Sequence, residues 1–181
     1  MAEIPVVVVD AQRGGPSTGL PTKMEQSDLN IALYGGHGDS PRIVLAPASV
    51  AECFHLTVWA FNLAEEYQTP VIVLSDYSLS FRTETIEPFD LSKYPRVDRL
   101  RPNGSLAPKQ YRRYEITANL ISPMVAPGVA HAQYTATGLE HNEFGNPDYT
   151  PTNHAMMTEK RWGKLAPLQH SRAYVRRFGA E

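Results

Sequence analysis

Three short runs in the first 75 residues leave this chain few folds to choose from. IPVVVV (residues 4–9), RIVLA (42–46) and PVIVL (70–74) are apolar at nearly every position instead of alternating with polar residues. An alternating strand has one wet face, whereas an uninterrupted β-branched strand is buried on both faces, the habit of parallel sheets covered by helices. Between the second and third runs, residues 50–67 carry a helical period, introduced by Ser49 and Glu52 in the S-x-x-E spacing that satisfies free amides at a helix start. In that helix Cys53, Phe54, Thr57, Val58, Ala60, Phe61 and Ala64 are predicted to form the packed stripe, with Glu52, His55, Asn62 and Glu66 opposite. Strand, helix, strand in this order predicts a right-handed crossover and an α/β fold with a parallel sheet.

In such a sheet ligands bind beyond the carboxyl ends of the strands. That rule places GGPSTG, after the first strand, beside SDYS, after the third. The first of these turns offers backbone donors, the hydroxyls of Ser17 and Thr18, and Arg13, whose guanidinium suits a carboxylate as a bidentate fork. Gly14 to Gly19 have the spacing of a phosphate loop, but Leu20 stands where that loop needs lysine, and no G-x-G-x-x-G fingerprint is present. An anion site and a plain loop both fit the turn. A short helix is predicted over residues 23–33. Beyond it, YGGHGD sets His37 between glycines, where a ligand could approach the backbone and the imidazole could move protons; a surface histidine in a turn is the plainer reading.

The remaining chain offers less. Residues 93–111 are basic and proline-bearing, residues 121–149 show no sustained period, and both read as an irregular extension. Helices are predicted over residues 156–165, with Met156 and Met157 in the core and Lys160, Arg161 and Lys164 on a solvated face, and over residues 169–178. Glu140, His141 and Glu143, with His131 and His154 nearby, match no metal-ligand spacing. A formal net charge of −2 gives no basic face for nucleic acid. The single cysteine, Cys53, cannot form an internal disulfide and is predicted buried and inert. With no apolar run of spanning length and no leader pattern, the expected location is cytoplasmic, without a membrane partner.

Four segments carry a family resemblance: QRGGPSTGLPTKMEQSDL, YGGHGDSPRIVLAP, YEITANLISP and ATGLEHNEFG. They resemble the alpha subunit of the 2-oxoacid:ferredoxin oxidoreductases, most of all the 2-oxoglutarate type, as far as about Leu165. The resemblance implies oxidative decarboxylation of a 2-oxoacid such as 2-oxoglutarate or pyruvate to an acyl-CoA, with thiamine diphosphate and coenzyme A, and electrons passing to ferredoxin. It implies that the alpha subunit supplies the pyrimidine-binding domain, while a beta subunit holds the magnesium, the diphosphate and an iron–sulfur cluster. Arg13 then matches the arginine that binds the 1-carboxylate of the oxoacid. Thr22 and Lys23 are expected at the distal carboxylate of a dicarboxylic oxoacid. Gly14, Gly15, Ser17, Thr18 and His37 are expected near the cofactor, and no metal ligand is expected in this chain.

The family's Tyr-Pro-Ile-Thr-Pro segment and its pyrimidine-binding glutamate have no counterpart here, so no catalytic residue is assigned to the chain. Residues 1–90 are expected to be the latter part of a pyrimidine-binding domain with a partial parallel sheet. Residues 91–181 are expected to be a linker toward a transketolase C-terminal-like domain. A parallel sheet lacking its early strands leaves an apolar edge bare. The 181 residues alone are therefore expected to show no turnover; oxoacid-dependent reduction of a viologen dye by the purified chain would contradict this. A non-enzymatic reading, as an assembly module or an anionic-metabolite-binding remnant, differs by predicting no co-purifying beta subunit and no iron–sulfur absorbance.

Overall fold

The computed structural model describes residues 1–169 and 171. The predicted helix over residues 169–178 lies, apart from Gln169 and Ser171, outside them. Three parallel strands, β1 (Val6–Gln12), β2 (Ile43–Leu45) and β3 (Pro70–Asp76), form a sheet in the order β1-β3-β2. Val6 pairs with Pro70 and Gln12 with Asp76, while Ile43 pairs with Val71. Pro70, which cannot donate to a ladder, sits at the first position of its strand, where that lack does least harm. The α/β architecture expected from the three apolar runs is the one observed.

Helix α2 (Val50–Tyr67) crosses from β2 to β3. Ser49 Oγ accepts the Glu52 amide at 3.2 Å, and the Glu52 carboxylate accepts the Ala48 amide at 2.8 Å, so the helix start is capped from both sides. The core gathers Ala60, Leu63, Ala64 and Tyr67 of α2, Val71 and Val73 of β3, and Leu165 from the far end of the chain. The predicted stripe therefore needs correction: Leu56, Leu63 and Tyr67 are buried, and Phe61 is 58% exposed. The helix is apolar on more than one side, and a second segment covers the surplus. Phe54 stacks on Phe89, His55 meets Tyr94, and Asn62 bonds the backbone of Pro95 and Val97.

β1 departs from its sequence reading in the manner expected of an edge. Val6, Val8 and Val9 are 44%, 47% and 63% exposed, because β1 pairs only with β3. The helix predicted over residues 23–33 shrinks to α1 (Leu29–Tyr34), since the backbone around residues 20–23 is committed to a turn described below. After β3 comes one turn of helix, α3 (Tyr77–Phe81), with the Asp76 carboxylate accepting the Leu79 amide at 2.8 Å.

From residue 82 to 150 the only regular element is a 3-10 turn at Leu91–Lys93. This extension is nonetheless well anchored: Tyr114, Ser122 and His141 are fully buried, and Gln68 donates to the Ser122 carbonyl at 2.6 Å. Helix α4 (Pro151–Gly163) follows, then one turn, α5 (Ala166–Gln169). Met157 is in the core as predicted and Met156 is not.

The solvated basic face predicted on α4 is the clearest correction. Lys160, Arg161 and Lys164 are buried. Lys160 Nζ reaches both oxygens of Glu3 at 2.8 Å, and Lys164 Nζ donates to Glu3 Oε2 at 2.8 Å and to the Gln68 carbonyl at 2.9 Å. Arg161 makes a bidentate pair with Glu140 at 3.0 Å on both arms, and His154 joins the same carboxylate. Buried charges persist when paired in this way, and each cation meets an acid from a distant part of the chain. Arg113, fully buried, donates to the Glu3 carbonyl at 2.6 Å and holds Glu3 in a left-handed backbone conformation (φ 49°) that a non-glycine residue seldom adopts.

Candidate functional site at the carboxyl end of the sheet

The register of β1 and β3 brings their carboxyl ends level, so Arg13 and the turn after it leave the sheet next to Asp76. The ends of β1 and β3 and the loop that follows β1 are bonded together. Gln12, buried, donates to the Ser75 carbonyl at 3.1 Å and accepts the Asp28 amide at 3.1 Å, while Gln26 donates to Asp76 Oδ2 at 2.7 Å. The Leu79 amide first, and then Gln26, hold the Asp76 carboxyl below its ordinary value.

The turn closes on itself. Leu20 donates to the Gly14 carbonyl at 2.8 Å, Lys23 to the Leu20 carbonyl at 3.0 Å, and Gly14 to the Lys23 carbonyl at 3.1 Å. Gly19 has φ +47°, and a Cβ there would collide with the Gly14 carbonyl, so this position needs glycine for the closure itself. Gly14 spends its amide inside the turn, whereas a Cβ on Gly15 would meet nothing within 4 Å. Of the two glycines singled out in the sequence, Gly15 is the one beside open space.

A cleft of about 640 Å³ opens here, lined by Arg13, Gly15, Pro16 and Ser17 on one side and by Asp10, Glu25 and Asp28 among the rest. Arg13 is exposed, and among the described residues it has no ion-pair partner. Burial, and then Asp28, pushes the Asp10 carboxyl above its ordinary value. The cleft thus offers one guanidinium among three acids. Any anion bound there owes its hold to the directed fork of Arg13 and not to a diffuse positive field.

Thr18, Thr22 and Lys23 are exposed on the same turn but do not line the cleft. His37 is set apart: it borders a different cleft, with Glu3, Val6 and Pro70, at the opposite end of β1. No group of three or more His, Cys, Asp or Glu side chains suited to a metal occurs among the described residues, and none of their helices is long and apolar enough to cross a membrane. Cys53 is half-buried, and burial, followed by Glu52 and Asp76, pushes its thiol up. The sequence reading singled out neither Gln12 nor Gln26 as a site residue, and it reached Asp76 only as part of SDYS. Asp76 alone had a signal, as an aspartate one residue before a helical turn.

Residues 1–160 match the family described as pyruvate flavodoxin/ferredoxin oxidoreductase, thiamine diP-binding. The alpha subunit of 2-oxoacid:ferredoxin oxidoreductase 1 from Sulfurisphaera tokodaii is 44% identical over 168 residues, covering 91% of this chain and 26% of that protein. The 2-oxoglutarate synthase subunit KorA of Methanothermobacter thermautotrophicus is 40% identical over 171 residues, covering 94% of this chain and 44% of that one. In three dimensions the chain resembles a 2-oxoglutarate:ferredoxin oxidoreductase from Magnetococcus marinus, solved with 2-oxoglutarate, coenzyme A and succinyl-CoA bound. That likeness has a TM-score of 0.89 and 53% identity, over 95% of this chain and 30% of that one. The chain spans between about a quarter and under half the length of these relatives. A parallel α/β sheet that carries an arginine-bearing glycine turn at its carboxyl end, together with these likenesses, shows that the chain belongs to the 2-oxoacid:ferredoxin oxidoreductase alpha-subunit family, within its thiamine diphosphate-binding domain.

Proposed function

We propose that this segment serves in the oxidative decarboxylation of a 2-oxoacid, 2-oxoglutarate or a close analogue, to its acyl-CoA with electrons passed to ferredoxin, and that Arg13 holds the 1-carboxylate of the oxoacid. The observation that carries the reading is the state of Arg13: a side chain launched from the end of a sheet strand, free of internal ion pairs among the described residues, over an open cleft. A bidentate fork both orients the reacting acid and favours its ionised form. The names of the relatives point to the same chemistry, and the Magnetococcus marinus neighbour has 2-oxoglutarate and coenzyme A bound.

Thiamine diphosphate, when bound, would supply nucleophilic chemistry for decarboxylation of the oxoacid. The donors on this turn fit its neutral parts: Ser17 and Thr18 are exposed, and Gly15 leaves room for close approach. The metal and the diphosphate, with an iron–sulfur cluster, are assigned to a partner beta subunit. His37, at the other end of β1, takes no part in this site as we draw it.

Thr22 and Lys23 are proposed to meet the distal carboxylate. Their exposure outside the cleft lining leaves both free to reach a substrate lying across its mouth. In the complete, assembled oxidoreductase, Lys23→Ala is expected to lower the preference for 2-oxoglutarate over pyruvate by about tenfold, the worth of one charged hydrogen bond. An unchanged ratio of the two kcat/KM values removes Lys23 from the site.

A further inference from the structure

We infer that Gln26 and Asp76, with Gln12, are positioning residues that set where Arg13 and Lys23 stand, and that the hydrogen bond from Gln26 to Asp76 is the fastening that matters most. The inference rests on the substrate site proposed above. The loop between residues 13 and 28 leaves β1 and returns to α1, and among the described residues two side-chain bonds tie it to the sheet. They run from the Asp28 amide to Gln12 and from Gln26 to Asp76, and Gln12, in β1, is itself fixed by donating to the Ser75 carbonyl of β3. Its remaining backbone bonds are internal to the turn, joining Gly14, Leu20 and Lys23. The turn is therefore a closed unit whose internal shape is set by itself and whose placement is set by these two fastenings.

One of them lies on Gln12, the last residue of β1. The other, at 2.7 Å, is on a carboxylate that the Leu79 amide already holds in place. Asp76 is itself buried and closes β3, so the anchor belongs to the rigid part of the fold. Releasing Gln26 lets the turn pivot about Gln12 and carries both cations with it. Groups that position a substrate in this way show their effect in binding, because a small displacement is enough to lose a directed contact.

The experiment exploits what a glutamate does in place of Gln26. Opposite Asp76 it makes two carboxylates that repel when both are ionised and share a proton when one is not. Cys53 on α2 is a titratable neighbour of Asp76, and Glu25 and Asp28 lie on the same loop as residue 26. In the assembled oxidoreductase at about pH 8, both Gln26→Glu and Gln26→Leu are expected to raise KM for 2-oxoglutarate by about tenfold with little change in kcat. Both should also speed hydrogen exchange at the Asp28 amide, whose bond to Gln12 is the remaining fastening, and leave the Gly14, Leu20 and Lys23 amides, bonded within the turn, unchanged. At about pH 5.5 Gln26→Glu is expected to recover much of its KM relative to wild type, and Gln26→Leu none. A KM unmoved by either variant, or a Gln26→Glu enzyme that tracks Gln26→Leu at both pH values, overturns the positioning role. If Arg13→Lys still weakens the substrate in that case, the site itself stands; if neither Arg13 nor Gln26 affects KM, both readings fall.

Discussion

If Arg13 holds the oxoacid as proposed, Arg13→Ala is expected to lower kcat/KM for the 2-oxoacid by about a hundredfold to a thousandfold in the assembled oxidoreductase. A bidentate fork contributes two charge-assisted hydrogen bonds of roughly 1.5–3 kcal/mol each. Losing about 3–4 kcal/mol corresponds to two to three decades of rate. The surroundings deepen the loss. Asp10, Glu25 and Asp28 line the same cleft, so without the guanidinium the anion faces only like charge. Arg13→Lys restores the charge but not the planar fork, and is expected to recover no more than about a tenth of the lost activity. Steady-state kinetics on the three proteins checks both figures, and a lysine variant equal to wild type would show that charge alone suffices.

The second large effect concerns folding. Glu3→Gln removes the only acid that meets the Lys160 and Lys164 ammonium groups among the described residues, and both lysines are buried. An uncompensated buried charge of this kind costs about 3–5 kcal/mol, and two cations share the loss here. For a chain of this size that is a fall in the melting temperature of roughly 6–20 °C. Thermal denaturation followed by circular dichroism measures it. The triple replacement Glu3→Leu, Lys160→Met, Lys164→Met, which leaves no orphan charge, is expected to melt close to wild type. If the single and triple variants melt alike, the ion cluster is not what ties residue 3 to α4.

The same cluster sets an acid limit. Burial alone raises a carboxyl, but Lys164 and Lys160 together outweigh it and hold Glu3 at about 2. The folded value lies below the ordinary one of 4.5. The stabilisation is therefore whole above about pH 5 and is lost as pH falls toward 2, where the folded form also takes up the proton. Glu140, held at about 2 chiefly by its hydrogen bonds to Arg161 and His154 against the effect of burial, adds to the loss over the same range.

Local patterns revealed much of this molecule, and distant pairings revealed little. The apolar runs and the Ser49–Glu52 cap are complete within a few residues, and they gave β2, α2 and β3 to within a residue or two at most boundaries. The meeting of the glycine turn with the end of β3 followed from a rule about parallel sheets and needed no knowledge of side chains. Lys160, Arg161 and Lys164 are the opposite case. Three cations in five residues look solvated until it is known that Glu3, 157 residues from Lys160 and 161 from Lys164, lies against those two in space and Glu140 against Arg161. Helix α2 misled for another reason. Its surplus of apolar residues allowed several faces, and only the arrival of Phe89 and Tyr94 decided which part stayed outside the core. In the site, the place of Arg13 just beyond the end of a strand was legible from the apolar run before it, while its role in binding is the proposal made above. Gln26 was not legible, since a glutamine in a loop has no signature until Asp76 is seen across from it.

A crystal structure of the assembled oxidoreductase with its 2-oxoacid bound tests the central claim most directly. The account predicts two parallel N–H···O contacts of about 2.7–2.9 Å between the Arg13 guanidinium and the 1-carboxylate. A guanidinium turned onto Asp10, Glu25 or Asp28 while the substrate's carboxylate rests on other groups would contradict it.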